Sequence, residues 1–576
     1  MKIKSFSTKI FVLIFYFFVL FLPSLLFAQD YKNIFASPMK IPLYSTGNFA
    51  ELRGSHFHSG LDIRTYGKTG YSVYAPEDGY VSRIKVQAYG GGKNLYITHP
   101  NGYTTVYMHL ERYCGEIEQW VKNHQYANQV YEFDYTFSNP KIYIKQGDTI
   151  AISGESGSVA GPHLHFEVRN SKTENPINPL RFLDMEDTIP PFIESLAITP
   201  MKNASVNNSA NTYTWQINKD NNFNDSIPSF DTIDCLGNIY FSILAFDPSK
   251  NSSMRNGVLS SELYINNNKI FSHKVNEFSF ANYGYVDAVI NYPLYIKTGK
   301  RYLSSRLLEN GKLPYDNYVN NGILNVKKDS LYKIEWRLAD IKNNKSNYVF
   351  FVRGFEQDNA VRNNTLKPRV MHIDYNENTT YKASDGSLFM FSKNCLYESI
   401  DLEHYQRKGT YSDVHTLHNI FEPVKKKFTI KIKPYKVNDL IKNKSTIVKI
   451  NSKGGFSSVG GIYRDGFVET KIGDFGVFAI WIDTTAPNVK PINFKPNKKL
   501  SSNQKTLKAK ISDNLTGIYS YKGYINGKWV LMEYDGKNAM LTYFIDETLK
   551  EGENTLKIVV TDKNNNTKTE TYTIIR

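Results

Sequence analysis

Three short segments near the N-terminus place histidine and aspartate at spacings that suit a metal site. They are HFHSGLD (56 to 62), TTVYMHL (104 to 110) and GPHLHFE (161 to 167). Zinc takes imidazole nitrogens and carboxylate oxygens as ligands, and a catalytic zinc site leaves one of its four positions to water. Three protein ligands are therefore enough. Together the segments predict a hydrolytic metal site.

The segment GPHLHFE predicts a strand that carries both of its histidines on one face. Residues i and i+2 of a strand point the same way, so His163, His165 and Glu167 share a face. The apolar residues between them share the other face, which belongs on a core. Both imidazoles are therefore expected to line a groove.

The same rule applied to TTVYMHL turns the alternate apolar residues from Val106 to Leu110 inward. It turns Tyr107 and His109 outward, so a third imidazole is expected in the groove.

His58 and Asp62 lie four residues apart around a Ser-Gly turn, and they can offer a nitrogen and an oxygen to one ion. The pair His163 and His165 can supply one more ligand, which leaves an imidazole free to transfer protons. His56 suits the groove and the surface equally.

These segments resemble the lysostaphin-type (LytM-like) zinc metallopeptidases, whose signatures are His-x-x-x-Asp and His-x-His. A further family mark, Y-x-H-L, is matched by the residues from Tyr107 to Leu110. The closing stretch GDTIAISGESGSVAGPHLHFEVR and the exit NPINPLRFL are also similar to that family. The resemblance covers residues 46 to 185, about a quarter of the chain.

The resemblance implies that His58, Asp62 and His165 bind zinc. His163 and His109 would then flank the water and the developing oxyanion, one as general base and the other as stabiliser or proton donor. The implied reaction is hydrolysis of peptide bonds in the cross-links of peptidoglycan, in a groove of a small antiparallel β domain.

The rest of the chain also predicts a mainly β protein of several domains. Its length of 576 residues is too great for one core, and 14% aromatic content favours strands. Short alternating segments separated by turns predict an antiparallel β domain over 46 to 185, with one inserted helix near 116 to 129.

An internal repeat predicts further β domains. DTIPP (187 to 191) resembles DTTAP (483 to 487), and RLADIKNNKS from Arg337 resembles VVTDKNNNTK from Val559. Each copy reads as strands joined by Asp-Asn turns, which predicts immunoglobulin-like β-sandwiches. The expected modules are 186 to 355, 366 to 482 (β-rich, with no recognisable site) and 483 to 576.

The first 28 residues predict a secretory signal peptide. Three lysines precede an apolar run that ends at the small residue Ala28. We therefore expect export to the periplasm or the cell surface. The chain has three cysteines, which lie far apart in the sequence. They argue against a disulfide framework, so we expect hydrophobic cores to hold the folds together.

The net charge of +15 comes from dispersed lysines and arginines. Together with the predicted export, this argues against a nucleic-acid partner and favours a solvated surface or an acidic envelope polymer.

The sequence thus predicts an exported zinc endopeptidase that cleaves peptidoglycan cross-links, with C-terminal modules that space the enzyme or bind wall material. One alternative is a non-catalytic activator of another wall hydrolase, a class that typically loses metal ligands. The other is a surface adhesin whose function lies in the modules. The oligomeric state is not predicted.

Overall fold

The computed structural model describes residues 34–217, 232–249, 255–355 and 369–576. The predicted mainly β class is confirmed, with 48% strand and 8% helix. The predicted signal peptide lies outside the described residues. Within the described ranges, no helix is long and apolar enough to cross a bilayer.

The N-terminal domain consists of antiparallel strands and one α-helix, α1 (Gly115–Asn128). Its strands are β1 (Ser45–Gly47), β2 (Leu52–Arg53), β3 (His56–Phe57), β4 (Leu61–Arg64), β5 (Ser72–Tyr74), β6 (Gly79–Val86), β7 (Lys93–Thr98), β8 (Tyr103–Met108), β9 (Leu110–Tyr113), β10 (Phe133–Thr136), β11 (Tyr143–Ile144), β12 (Thr149–Ser153), β13 (His163–Asn170) and β14 (Pro176–Ile177).

The main sheet of this domain has the order β1-β4-β13-β8-β7-β6-β10, with β11 added to β6 and β14 to β13. A three-stranded sheet, β5-β12-β9, shares its core, and β2 and β3 form a separate hairpin. Strand β13 lies between β4 and β8, so it brings together three segments that are distant in sequence.

Alternation along β13 follows the sequence pattern. Leu164, Phe166 and Val168 are fully buried in the core, and His163, His165 and Glu167 occupy the opposite face. Burial of the three apolar side chains stabilises the domain by about 1.5–3 kcal/mol each.

The orientation predicted for the strand before His109 is wrong. Tyr107 lies opposite Phe166 and packs in the core with a ring distance of 5.6 Å, whereas Met108 lies opposite His165 on the groove side. Tyr107 tolerates burial because its hydroxyl hydrogen-bonds to Thr105 at 2.9 Å. A Tyr can thus occupy an apolar face, which polarity alone does not reveal.

Helix α1 spans Gly115–Asn128, close to the stretch at 116 to 129 where the sequence predicts one. Ile117 and Val121 bury one face of it against the domain core. The helix ends at Gln129, which adopts a left-handed conformation and donates its backbone N–H to Tyr126 O at 3.4 Å.

The second domain contains helix α2 (Tyr292–Thr298) and strands that belong to one connected set of twelve. The strands are β15 (Phe192–Pro200), β16 (Ser205–Val206), β17 (Tyr213–Gln216), β18 (Ile233–Pro248), β19 (Arg255–Asn256), β20 (Ser260–Ile265), β21 (Asn268–Lys274), β22 (Leu303–Ser304), β23 (Asp316–Tyr318), β24 (Ile323–Val326), β25 (Leu331–Ala339) and β26 (Lys345–Gly354). The 16-residue β18 pairs with β15 and, at its first residues, in parallel with β26.

The third domain contains helix α3 (Asp439–Lys444) and two sheets, of six and five strands, packed around one core. Its strands are β27 (Arg369–Ile373), β28 (Thr379–Lys382), β29 (Leu388–Phe391), β30 (Ile400–Arg407), β31 (Val414–Leu417), β32 (Phe428–Ile432), β33 (Ser445–Ile450), β34 (Phe456–Ser458), β35 (Ile462–Arg464), β36 (Phe467–Ile472) and β37 (Gly476–Ile482).

The fourth domain is a sandwich of two four-stranded sheets, β38-β39-β43-β42 and β41-β40-β44-β45. Its strands are β38 (Asn488–Pro491), β39 (Thr506–Ser512), β40 (Ile518–Ile525), β41 (Lys528–Val530), β42 (Glu533–Asp535), β43 (Met540–Phe544), β44 (Glu553–Asp562) and β45 (Thr567–Ile575).

The N-terminal domain contacts both the second and the fourth domains. Lys93 forms an ion pair with Glu533 of the fourth domain at 2.8 Å. The backbone N–H of Phe57 donates to the carbonyl of Tyr283, in the second domain, at 3.0 Å. The N-terminal domain therefore contacts two domains that follow it in the sequence.

Candidate metal centre

Three side chains from separate segments converge on one point of the N-terminal domain. His58 Nε2 lies 3.1 Å from Asp62 Oδ1 and 3.0 Å from His165 Nδ1, and the last two atoms are 2.9 Å apart. We call these residues the histidine group. Ligands bonded to zinc at about 2.0–2.1 Å in a tetrahedron stand about 3.3 Å apart, so this donor set fits the ion.

The backbone brings these ligands together through strand pairing and one glycine. Asp62 on β4 lies directly opposite His165 on β13, so both side chains point to the same face. His58 precedes the turn at Gly60, where a Cβ atom would lie 2.6 Å from the carbonyl oxygen of Phe166. Only glycine lets this turn approach β13 so closely.

Two residues orient His58 and His165. His58 Nδ1 donates to the carbonyl of Asn48 at 2.7 Å, which leaves the lone pair on Nε2. His165 Nε2 donates to Glu167 at 3.0 Å, which leaves Nδ1 for an ion. Such partners fix the tautomer of a metal-binding histidine.

Glu167 is fully buried and held on all sides. Its carboxylate accepts hydrogen bonds from Ser59 at 2.5 Å and from Arg169 at 2.6 Å, in addition to His165. Burial opposes the charge, but Arg169 and His165 outweigh it and lower the pKa of Glu167 to about 2. The sequence placed Glu167 on the correct face but gave it no role.

Arg53, on the β2–β3 hairpin, was missed by the sequence analysis. Its Nη2 donates to Asp62 Oδ2 at 2.5 Å and also contacts Glu51. Arg53 therefore occupies one carboxylate oxygen of Asp62 and leaves Oδ1 facing the histidines. Burial opposes ionisation of Asp62, but His58, His163 and His165 hold its pKa well below the usual range.

The two histidines of the histidine group have different pKa values. Burial, together with the charge of Arg53, lowers the pKa of His58 to about 4. Burial also opposes a charge on His165, but its bonds to Asp62 and Glu167 raise the pKa to about 9. At neutral pH, without metal, His58 is thus neutral and His165 carries a proton that an ion would displace.

His163 and His109 lie beside the histidine group, with their ring centres 5.0 Å apart. His163 Nδ1 donates to the carbonyl of Gly161 and His109 Nδ1 to that of Ser156, each at 3.0 Å. In its neutral form each ring therefore carries the lone pair on Nε2. The buried Nε2 of His163 has no hydrogen-bond partner among the residues that the structure describes, and it lies 3.4 Å from Asp62 Oδ1.

His109 reaches the groove because the backbone breaks the alternation of β8. Tyr107 faces the core, so continued alternation would send His109 there as well. A left-handed φ of 62° at His109 turns its side chain to the groove instead. Its N–H donates to Gly91 at 2.8 Å, so the GGGK turn at 90 to 93 supports the site. Burial, His165 and His163 lower the pKa of His109 to about 3.

His56 lies apart from these residues. His56 lies on the β2–β3 hairpin, and its ring stacks on that of Tyr283 in the second domain with the ring centres 4.7 Å apart. It belongs to a domain contact.

Two families match parts of this chain. Residues 56–134 match Peptidase family M23, and residues 370–483, in the third domain, match the Zu5-like domain. The M23 match includes His58, Asp62 and His109 and ends before His163 and His165.

Relatives match the chain over a similar length. An uncharacterized metalloprotease of Haemophilus influenzae is 33% identical over 121 residues, 21% of this chain and 20% of that protein. The peptidoglycan DD-endopeptidase ShyB of Vibrio cholerae is 33% identical over 111 residues, 19% and 20% of the two chains. The chain thus spans about a fifth of the length of these relatives.

Among solved structures, the catalytic domain of the antimicrobial peptidase lysostaphin from Staphylococcus simulans is 24% identical, covering 24% of this chain and 88% of that one with a TM-score of 0.18. The sequence matches and the convergence of the motif residues agree with the resemblance seen in the sequence. The N-terminal domain of this chain is therefore a domain of peptidase family M23.

Proposed function

We propose that the protein is an exported, zinc-dependent endopeptidase that hydrolyses peptide cross-links of bacterial peptidoglycan. The observation that carries this proposal is the convergence of His58, Asp62 and His165 within about hydrogen-bond distance of one another, with two further imidazoles beside them.

In this proposal His58 Nε2, Asp62 Oδ1 and His165 Nδ1 hold the zinc ion. Bound zinc polarises a carbonyl and lowers the pKa of water to about 7. Arg53 and Glu167 keep Asp62 and His165 in the geometry that binds the ion.

His163 and His109 move protons in this proposal. Each presents an Nε2 lone pair, so either can take a proton from the attacking water and later return it to the leaving amine. The roles of base and of oxyanion stabiliser stay unassigned between them. The low pKa of His109 keeps it neutral at pH 7.

The substrate class is supported by relatives. ShyB is named a peptidoglycan DD-endopeptidase, and this chain matches it over the peptidase domain. Export follows from the predicted signal peptide and from the location of peptidoglycan outside the cytoplasm.

The test is digestion of purified peptidoglycan by protein prepared without residues 1 to 28. We expect cleaved cross-links from the parent protein and background release from His165→Ala and from protein treated with a zinc chelator. His372→Ala is the matched control, since His372 is exposed on the third domain and lies outside the site. Equal release from parent, His165→Ala and chelated protein would contradict the proposal.

The complete ligand set argues against the non-catalytic activator. An activator would raise the activity of another wall hydrolase and would keep that effect in His165→Ala. An adhesin would likewise bind wall material unchanged in this variant. The same protein samples therefore distinguish the three functions.

A further inference from the structure

A second group of potential ligands lies between the N-terminal and second domains. Asp187, Asp247 and Asp340 each direct a carboxylate oxygen to within 4.8 Å of the others. We call them the aspartate group. Asp187 lies in the segment that joins the two domains, Asp247 at the end of β18, and Asp340 after β25.

The cavity beside the aspartate group contains oxygens without partners. Asp247 and Asn256 are 5% and 2% exposed, and the Oδ1 atom of each is buried with no hydrogen-bond partner in the described part of the chain. These residues pair directly across β18 and β19, so their side chains point the same way. Both line a cavity of about 40 Å³, large enough for an ion or a water.

The negative charge of the aspartate group is opposed only in part by the protein, through Lys342 at the rim, which offsets some of the rise in the pKa of Asp187. None of the three aspartates forms an ion pair with a Lys or Arg among the described residues, and Lys342 at the rim pairs with Asp184 instead. Burial and the carboxylates of Asp187 and Asp340 raise the pKa of Asp247 to about 9. Buried like charges without a counter-ion are costly, so the folded chain gains stability from a bound cation.

The remaining contacts hold the carboxylates in place. Asp187 Oδ1 accepts from the backbone of Ile189 at 3.0 Å, and Asp340 accepts from the backbone and side chain of Asn344 at 2.9 and 2.7 Å. Asn344 also donates to the carbonyl of Asp187 at 3.2 Å. These hydrogen bonds fix the positions of Asp187 and Asp340.

The same arrangement recurs at the entrance to the fourth domain, where Asp483, Asp513 and Asp562 meet. There Asn566 donates to Asp562 at 2.7 Å and to the carbonyl of Asp483 at 3.0 Å, as Asn344 does for Asp340 and Asp187. Asp187 and Asp483 are the matching aspartates of the internal repeat. Because the same contacts occur in both copies, the contact pattern belongs to the repeat.

We propose that the aspartate group, with the side-chain oxygen of Asn256, binds a calcium ion at the junction of the peptidase and second domains. The donor atoms offered by these four residues are all oxygens, which suits a hard cation rather than zinc. Calcium takes six to eight oxygens, whereas magnesium usually keeps most of its waters and binds one or two carboxylates. The ion would tie the joining segment to two strand ends of the second domain.

The test uses the zinc-loaded protein without residues 1 to 28, stripped of calcium. Calcium binding is measured by titration calorimetry, and thermal unfolding is followed with and without calcium. Asp247→Asn keeps the side-chain shape and removes one charge. Asp465→Asn, on an exposed turn, is the matched control.

We expect calcium to bind the parent and the Asp465→Asn control and to raise their unfolding temperature. Asp247→Asn is expected to lose one bound calcium per chain, or to bind it at least about tenfold more weakly, because charge count sets affinity in such sites. Without calcium, Asp247→Asn is expected to be at least as stable as the parent at neutral pH, since the raised pKa of Asp247 keeps its carboxyl protonated and the amide is likewise uncharged. That result also shows that the variant folds.

Asn256→Ala is a second variant that leaves all three charges in place, and we expect weaker calcium binding from it as well. Unchanged calcium binding in both Asp247→Asn and Asn256→Ala would overturn the proposal, as would a parent protein that calcium does not stabilise. An equal effect of magnesium at the same concentration would overturn the assignment to calcium. His165→Ala is expected to keep calcium binding, which separates this proposal from the peptidase activity.

Discussion

The histidine group and the aspartate group each gather three acidic or imidazole side chains, but they balance charge differently. Asp62 in the histidine group is paired with Arg53 at 2.5 Å and faces two histidines. The aspartate group has three carboxylates and no paired Lys or Arg among the described residues. The number of ligands is therefore a poor guide to the ion. The donor atoms and the nearby counter-charges decide it.

The largest expected effect separates the two groups by metal. His165→Ala, or treatment with 1,10-phenanthroline, is expected to remove zinc and to reduce peptidoglycan cleavage to background, while calcium still raises the unfolding temperature. Phenanthroline offers nitrogen donors, which calcium binds poorly. Metal analysis and unfolding curves on the same samples check this. Loss of both responses together would show that the groups are not independent.

The next effect tests the division of work inside the histidine region. His163→Ala and His109→Ala are each expected to keep one zinc per chain and to slow cleavage by about 10²–10⁴-fold, the usual contribution of general acid–base catalysis. Zinc content and cleavage rate are measured together. A zinc-free His163→Ala protein would make His163 a ligand and contradict the assignment of His165.

A smaller effect is expected from the residue that orients His165. Glu167→Gln keeps the size of the side chain but weakens its hold on the imidazole, so zinc affinity is expected to fall by about 10–100-fold. Competition with a zinc-binding dye measures this. Glu116→Gln on the exposed side of α1 is the control, and equal affinities of the two variants would deny Glu167 this role.

The smallest effect concerns the backbone turn under the histidine group. Gly60→Ala places a methyl group 2.6 Å from the carbonyl of Phe166, and overpacking of this kind costs about 1–3 kcal/mol. The denaturant midpoint of zinc-free protein is expected to fall. Gly54→Ala, whose nearest neighbour would be 4.0 Å away, is expected to change nothing. A fall of the same size in both variants would remove the argument for close approach.

Local patterns in the sequence identified the residues that converge in the histidine group and His163 beside it. His58, Asp62, His163 and His165 lie within two short motifs, and alternation alone put the last two on one face. His109 reached the groove for a reason that alternation excludes, because a left-handed residue reverses the strand. The prediction for Tyr107 was wrong because its polar hydroxyl was taken as a sign of an outward-facing side chain. An aromatic ring with a satisfied hydroxyl packs well in a core.

Partners from distant segments could not be predicted. Arg53 contacts Asp62 and Asn48 contacts His58 only because the hairpin and the first strand fold back over β4. The aspartate group escaped notice because its members are about 60 and 90 residues apart. The internal repeat had matched Asp187 and Asp340 to their later counterparts, but Asp247 lies in neither of the quoted pairs.

Asn48 touches both groups. Its carbonyl accepts the Nδ1 proton of His58 at 2.7 Å, and its side-chain amide donates to Asp247 at 3.3 Å. If two ions bind next to one shared residue, their effects on each other's affinity must be equal. Whatever factor calcium applies to zinc affinity, zinc applies to calcium affinity. Coupling of this kind would leave each site able to bind its own ion, and Asn48→Ala, which keeps the backbone carbonyl but removes the amide contact to Asp247, would abolish the coupling.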